Sequence, residues 1–109
     1  MDKKSILKTI KRRISNALRE NGFDKFTIYL FGSRAKGTSK EDSDFDILIA
    51  IDKEISGPDA FKIYSKALWS LRGLKNSFDI IIKSKKDFEE ERNITGALLN
   101  NIKEEAVVL

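Results

Sequence analysis

The 109 residues predict a small α/β protein of the α+β kind, a mixed β-sheet with flanking helices in a single domain spanning 1–109. Three observations carry that expectation. Ile6, Ile10, Ile14 and Leu18 recur at every fourth position, the period of a helix with one apolar face. Three short segments, 25–31, 44–51 and 77–83, alternate with the two-residue period of strands. A helix-length segment separates the second of these from the third, making a β-α-β unit whose strands are parallel with a right-handed crossover. A chain of this length has room for one modest core.

In order, Ser5 is placed to cap a helix running to about residue 20, with Leu7 and Ala17 widening its stripe. Its other faces carry Lys4, Lys8, Lys11, Arg12 and Arg19, which read most simply as a solvated basic surface. Asn21-Gly22 ends it, because glycine takes the left-handed turn of a helix stop. In the first strand Phe26, Ile28 and Leu30 share one face, and Tyr29 and Phe31 the other, so both faces are expected to be covered. The second strand puts Asp44, Asp46 and Leu48 on one face and Phe45, Ile47 and Ile49 on the opposite one.

Gly57-Pro58 punctuates the chain, and a helix to about residue 71 is expected to bury Phe61, Tyr64, Leu68 and Leu71. Trp69 falls roughly 140° from that stripe, at about 100° per residue, among Ser65, Lys66 and Arg72. It is either an edge contact to another element or an exposed anchor for a partner protein. Gly73 and Asn76 close the helix. The third strand puts Phe78, Ile80 and Ile82 opposite Asp79 and Ile81. Ser84-Lys85-Lys86-Asp87 has the form of a capping box, with Asp in place of Glu or Gln. The helix it opens is expected to break near 93–96 and resume through Leu98, Leu99 and Ile102, before 106–109 ends as a short apolar strand or docked tail.

Composition narrows the chemistry. With no cysteine, disulfides, thiolate metal sites and thiol catalysis are excluded. With no histidine, any reaction rests on carboxylates, cations, hydroxyls and bound metal, and magnesium suits such an oxygen inventory better than zinc. The net charge of +4 favours nucleotides, nucleic acid or an acidic protein face as partners. No apolar run is long enough to span a membrane and no leader pattern opens the chain, so a cytoplasmic protein is expected.

The topology converges the acids. Asp44 and Asp79 stand near the beginnings of two parallel neighbours and so reach the same sheet edge. A first strand running antiparallel to the second brings Gly32 and Ser33 there as well. Clustered carboxylates raise one another's pKa values, and divalent cations relieve the repulsion. Two metals, typically about 3.5–4 Å apart, can hold triphosphate oxygens for in-line attack. Gly32 admits close backbone approach, Ser33 offers a hydroxyl, the N–H groups of the 34–36 turn can face phosphate, and Arg34 and Lys36 supply positive charge. Taken singly these features are common in turns and at strand edges; their order and shared face are what point to a nucleotide site.

At these residues the sequence resembles the minimal nucleotidyltransferases of the DNA polymerase β superfamily. The matching pattern is Leu30-Phe31-Gly32-Ser33, ten intervening residues, Asp44-Phe45-Asp46, and then Phe78-Asp79-Ile80. The Gly-Ser-Arg-Ala-Lys-Gly form at 32–37 is similar to MntA-type antitoxins of HEPN/MNT toxin–antitoxin pairs. The resemblance implies a polymerase-β-like core, Asp44, Asp46 and Asp79 as catalytic metal ligands for two Mg2+ ions, and Gly32 and Ser33 against the triphosphate of ATP. It further implies AMP transfer to a tyrosine of a HEPN-type toxin, with Asp79 helping to deprotonate the acceptor. The acceptor surface is expected on the partner, so nucleic acid enters only through it. The alternatives are a non-catalytic antitoxin that neutralises by contact, through the Trp69 face or the basic first helix, and a nucleotidyltransferase acting on a small molecule or RNA.

Overall fold

Residues 3–36, 44–92 and 106–109 are described by a computed structural model, apart from the side chains of Lys3, Ser33, Lys36 and Arg92. The elements are α1 (Lys3–Glu20), β1 (Phe26–Phe31), α2 (Ser33–Lys36), β2 (Phe45–Ile51), α3 (Gly57–Ser70), β3 (Phe78–Ser84), α4 (Lys85–Arg92) and β4 (Val107–Val108). The sheet order is β3-β2-β1-β4. β1 is antiparallel to both its neighbours and β2 is parallel to β3, the mixed sheet expected. No helix among the described residues is long and apolar enough to cross a membrane.

α1 begins two residues before Ser5, which therefore lies inside the first turn, where its carbonyl accepts from the Thr9 hydroxyl. Its end follows from Gly22 at φ +87. The Phe23 N–H donates to the Leu18 carbonyl and the Gly22 N–H to Arg19, the paired bonds of a Schellman stop. Phe23 and Leu18 both enter the core beyond it. Ile10, Ile14 and Leu18 are fully buried, each stabilising the fold by roughly 1.5–3 kcal/mol.

The sheet divides the interior in two. Ile28, Leu30, Phe45, Ile47, Ile49, Ile51 and Ile80 face α1 and α3, forming the main core. On the reverse face Leu48 and Ala50 pack with Phe88 of α4, flanked by Tyr29, Phe31 and Ile81. The Tyr29 and Phe88 rings lie 5.2 Å apart between centroids. The alternation expected for all three strands is thus realised, and β1 is covered on both faces. α4 starts where the capping signal places it, with the Ser84 hydroxyl accepting from the Asp87 N–H at 3.1 Å. The expected break and resumed helix at 93–102 lie outside the described residues. At the chain's end β4 pairs with Tyr29 and Leu30, and Leu109 donates to the Ile28 carbonyl.

α3 differs from its expected orientation. Ser56, not the Gly57-Pro58 pair, is the boundary: it caps the helix by accepting from the Asp59 N–H, and Pro58 sits in the first turn. The buried row is Ile63, Ala67 and Leu71, whereas Phe61, Tyr64 and Leu68 are exposed. Of the expected stripe only Leu71 is inside. The helix carries two apolar rows, and the one with Ala67 at its centre lets α3 approach α1 and the sheet closely. The bulkier row cannot fit that gap. Ala67→Leu is therefore expected to overpack and cost about 1–3 kcal/mol, while Phe61→Ser changes stability by no more than about 0.5 kcal/mol. Chemical denaturation of the two variants checks both.

Candidate active site

The site is built by register. Asp46 stands opposite Phe31 on β1 and opposite Asp79 on β3. Because β2 and β3 are parallel, equivalent positions share a face, and the two carboxylates project side by side from the reverse face of the sheet. Asp44 lies just before β2 and is exposed, as is Asp79, while Asp46 is half-buried between its neighbours. The Phe45 N–H donates to the Ser77 carbonyl at 2.9 Å, extending the β2–β3 pairing to the strand ends where the acids sit.

β1 delivers the turn to this place. Gly32 follows Phe31 at φ +75, and its carbonyl accepts from the Ala35 N–H at 3.1 Å, closing the single turn of α2. A Cβ on Gly32 would collide with Oδ2 of Asp46. The missing side chain is thus what lets the turn lie directly against the carboxylate, in a conformation that an L-residue adopts only under strain.

Burial pushes the Asp46 carboxyl above its ordinary range, reinforced by the charge of Asp79, by a hydrogen bond to Asp79 and, last, by the charge of Asp44. Asp46 and Asp79 are brought together as a pair, and Asp44 acts on Asp46 from further away. Among the described residues no three acidic side chains are gathered closely enough to make a finished metal cage. The oxygen-only donors, the mutual repulsion of Asp46 with Asp79 and Asp44, and the close approach of Gly32 nevertheless fit a hard divalent cation, whose charge would relieve that repulsion.

The two expected cations fare differently. The guanidinium of Arg34 sits 4.3 Å from the centroid of Phe45, and Phe45 is stacked on Phe78 at 5.6 Å. Phe45 faces the main core, so this contact of Arg34 is made on that side of the strand end. There it joins α2 to the strand ends through a cation–π contact. The sequence signal for this layer is the pair of phenylalanines one residue before Asp46 and Asp79, which also fits the plain core pattern and is hidden by it. The backbones of Ser33 and Lys36 begin and end α2, but their side chains lie outside the described part of the structure, as does Gly37.

Residues 12–105 match the family model described as polymerase beta, nucleotidyltransferase. Among solved structures, a toxin-antitoxin with AMP-PNP is similar over 89% of this chain and 69% of its own, at 22% identity and TM-score 0.54. A Sulfolobus solfataricus protein assigned to the nucleotidyltransferases is similar over 94% of this chain and 83% of its own, at 22% identity and TM-score 0.54. A mutant of the toxin-antitoxin MntA-HpeT is similar over 99% of this chain and 72% of its own, at 19% identity and TM-score 0.52. No curated protein sequence matches the chain. These structural likenesses share the fold, and the family match spans nearly the whole sequence: the chain belongs to the polymerase beta nucleotidyltransferase family.

Proposed function

We propose that this chain is a magnesium-dependent nucleotidyltransferase that moves AMP from ATP to a tyrosine hydroxyl of a HEPN-type toxin, and so acts as an antitoxin. The observation that carries the reading is the side-by-side placement of Asp46 and Asp79, with Gly32 lying directly against Asp46. Asp44, Asp46 and Asp79 would hold two magnesium ions, which would neutralise the carboxylates and draw charge from the phosphate oxygens. Gly32 and Ser33 receive the triphosphate, Lys36 adds positive charge beside it, and Arg34 steadies the turn from the Phe45 side. The acceptor oxygen bonds to the α-phosphorus, the bond from that phosphorus to the bridging oxygen breaks, and pyrophosphate leaves. The hydroxyl proton passes to a carboxylate oxygen of Asp79, in a chain that has no histidine to take it. The similarity to a toxin-antitoxin with AMP-PNP supports an adenine nucleotide as donor and a toxin as acceptor.

The test is transfer of radiolabel from ATP carrying phosphorus-32 at the α position to a purified HEPN-type toxin. Wild-type protein is expected to label the toxin on tyrosine, and Asp79→Asn to slow labelling by on the order of a hundredfold, the usual cost of removing one preorganised charge. Undiminished labelling by Asp79→Asn rejects its assignment.

A further inference from the structure

β3 forms one edge of the sheet, and among the described residues no strand pairs with its outer side. It is seven residues long and carries Ile80, Ile81 and Ile82 in a row, an edge of the kind that recruits another strand. On the reverse face α4 leads away from it, since Phe88 packs on Leu48 and Ala50 of β2 and on Tyr29 of β1. On the main-core face α3 packs against β3, and α1 lies beside it towards β1, where the Arg19 guanidinium stands over the Phe26 ring. The flank of α3 turned away from α1 is therefore on the side of the β3 edge. It carries Tyr64 and Leu68, each 39% exposed, with Phe61 farther out at the rim.

The strand is complementary to itself. The Phe45 N–H donates to the Ser77 carbonyl, so in this parallel ladder the odd-numbered residues of β3 turn their backbone groups towards β2. Phe78, Ile80 and Ile82 turn theirs outward. A second copy related by a two-fold axis must pair antiparallel, with outward residues opposite outward residues. In the register centred on Ile81, Ile80 of one copy and Ile82 of the other exchange backbone bonds, and all seven positions overlap. Asp79 then falls opposite Lys83, twice over by symmetry, on the reverse face that both side chains share. The neighbouring permitted registers set Asp79 opposite Ile81 or beyond the end of β3, and the next opposes two Asp79 carboxylates. Lys83 is already held on this face by Glu91, whose Oε1 is 3.0 Å from its Nζ.

We infer that two copies of this chain join β3 to β3 about an axis at Ile81, so that Lys83 of each copy stands beside Asp79 of the other. Non-bonded residues opposite each other in an antiparallel pair have Cα atoms about 4.5 Å apart, which puts the lysine within reach of the carboxylate. Each candidate site is thus completed by the second copy. Lys83 is a positioning residue there, steadying Asp79 from the side away from Asp46, and that role rests on the transferase reading proposed above. The dimer itself does not. The same axis turns the Tyr64–Leu68 flanks of the two α3 helices towards one another above the junction.

Sedimentation equilibrium tests the dimer without reference to activity. Wild type is expected at twice the 12.4 kDa mass of the chain. Asp79→Lys and Lys83→Asp each set like charges opposite one another and are expected to weaken association by about tenfold or more, and the double variant to restore it. A monomeric wild type, or a double variant that associates no better than the single ones, overturns the inference. Mixing tests the shared site. Asp79→Asn and Lys83→Ala are each expected to label toxin slowly, Lys83→Ala by about tenfold. Combined, they are expected to recover to about a quarter of the wild-type rate, because half of the dimers are mixed and one of their two sites holds both residues. No gain on mixing overturns the delivery of Lys83 to the second copy. If wild type labels no toxin while the charge exchange still restores the dimer, the transferase reading falls and the dimer stands.

Discussion

Gly32→Ala is expected to lower nucleotidyl transfer by about a hundredfold, the order of loss that follows when a reacting group is displaced by around 1 Å. Two effects combine at this position. The backbone is left-handed at φ +75, which an alanine adopts only at a cost of about 1–2 kcal/mol. The new methyl also lands on Oδ2 of Asp46, so either the turn lifts off the sheet or the carboxylate rotates away. Gly22→Ala separates the two, since Gly22 has φ +87 but nothing within 4 Å of the place its methyl would take. It is expected to lose similar stability in thermal denaturation while keeping the transfer rate. Equal activity losses in the two variants would reduce the Gly32 effect to general destabilisation.

Asp46→Asn is expected to abolish transfer, by about a thousandfold, while making the metal-free protein more stable at neutral pH. The sign follows from the raised pKa. A carboxyl that holds its proton more tightly folded than unfolded destabilises the native state once the pH passes the folded value. In wild type that stability is fully present below the unfolded carboxylate pKa and is lost as pH rises through the folded one. Asparagine does not ionise and escapes the loss. Melting temperatures of the two proteins in chelator are therefore expected to converge in acid and to separate towards neutrality, the variant melting higher. Magnesium is expected to raise the wild-type melting temperature and to have much less effect on the variant. A variant that melts lower than wild type at neutral pH contradicts the account.

Much of this arrangement is legible in the sequence because a strand's period is rigid. Once Phe45, Ile47 and Ile49 belong to a core, Asp44 and Asp46 must face away from it, and the handedness of the β-α-β unit then fixes Asp79 beside them. Helix faces are less constrained. In α3 two apolar rows compete, and the sequence favours the bulkier one, whereas close packing favours Ile63 and Ala67. Size complementarity between elements decides that choice, and it cannot be read from α3 alone. Arg34 shows a similar limit, since its charge suggests phosphate and does not announce the contact its guanidinium makes with the Phe45 ring. For β4 the sequence leaves a short strand and a docked tail equally open, because two residues carry no period.

The pairing of β2 with both of its neighbours also bears on quality control in the cell. The same strand supplies Phe45, Ile47 and Ile49 to the core and Asp46 to the site, on opposite faces. A slip of β2 by one residue would bury Asp46 and expose the phenylalanine and isoleucines together. A register slip of β2 therefore cannot displace the carboxylates and leave the interior sound. Chains with such a slip advertise themselves to chaperones and proteases through misplaced hydrophobic residues, so this kind of misbuilt site is cleared along with its fold.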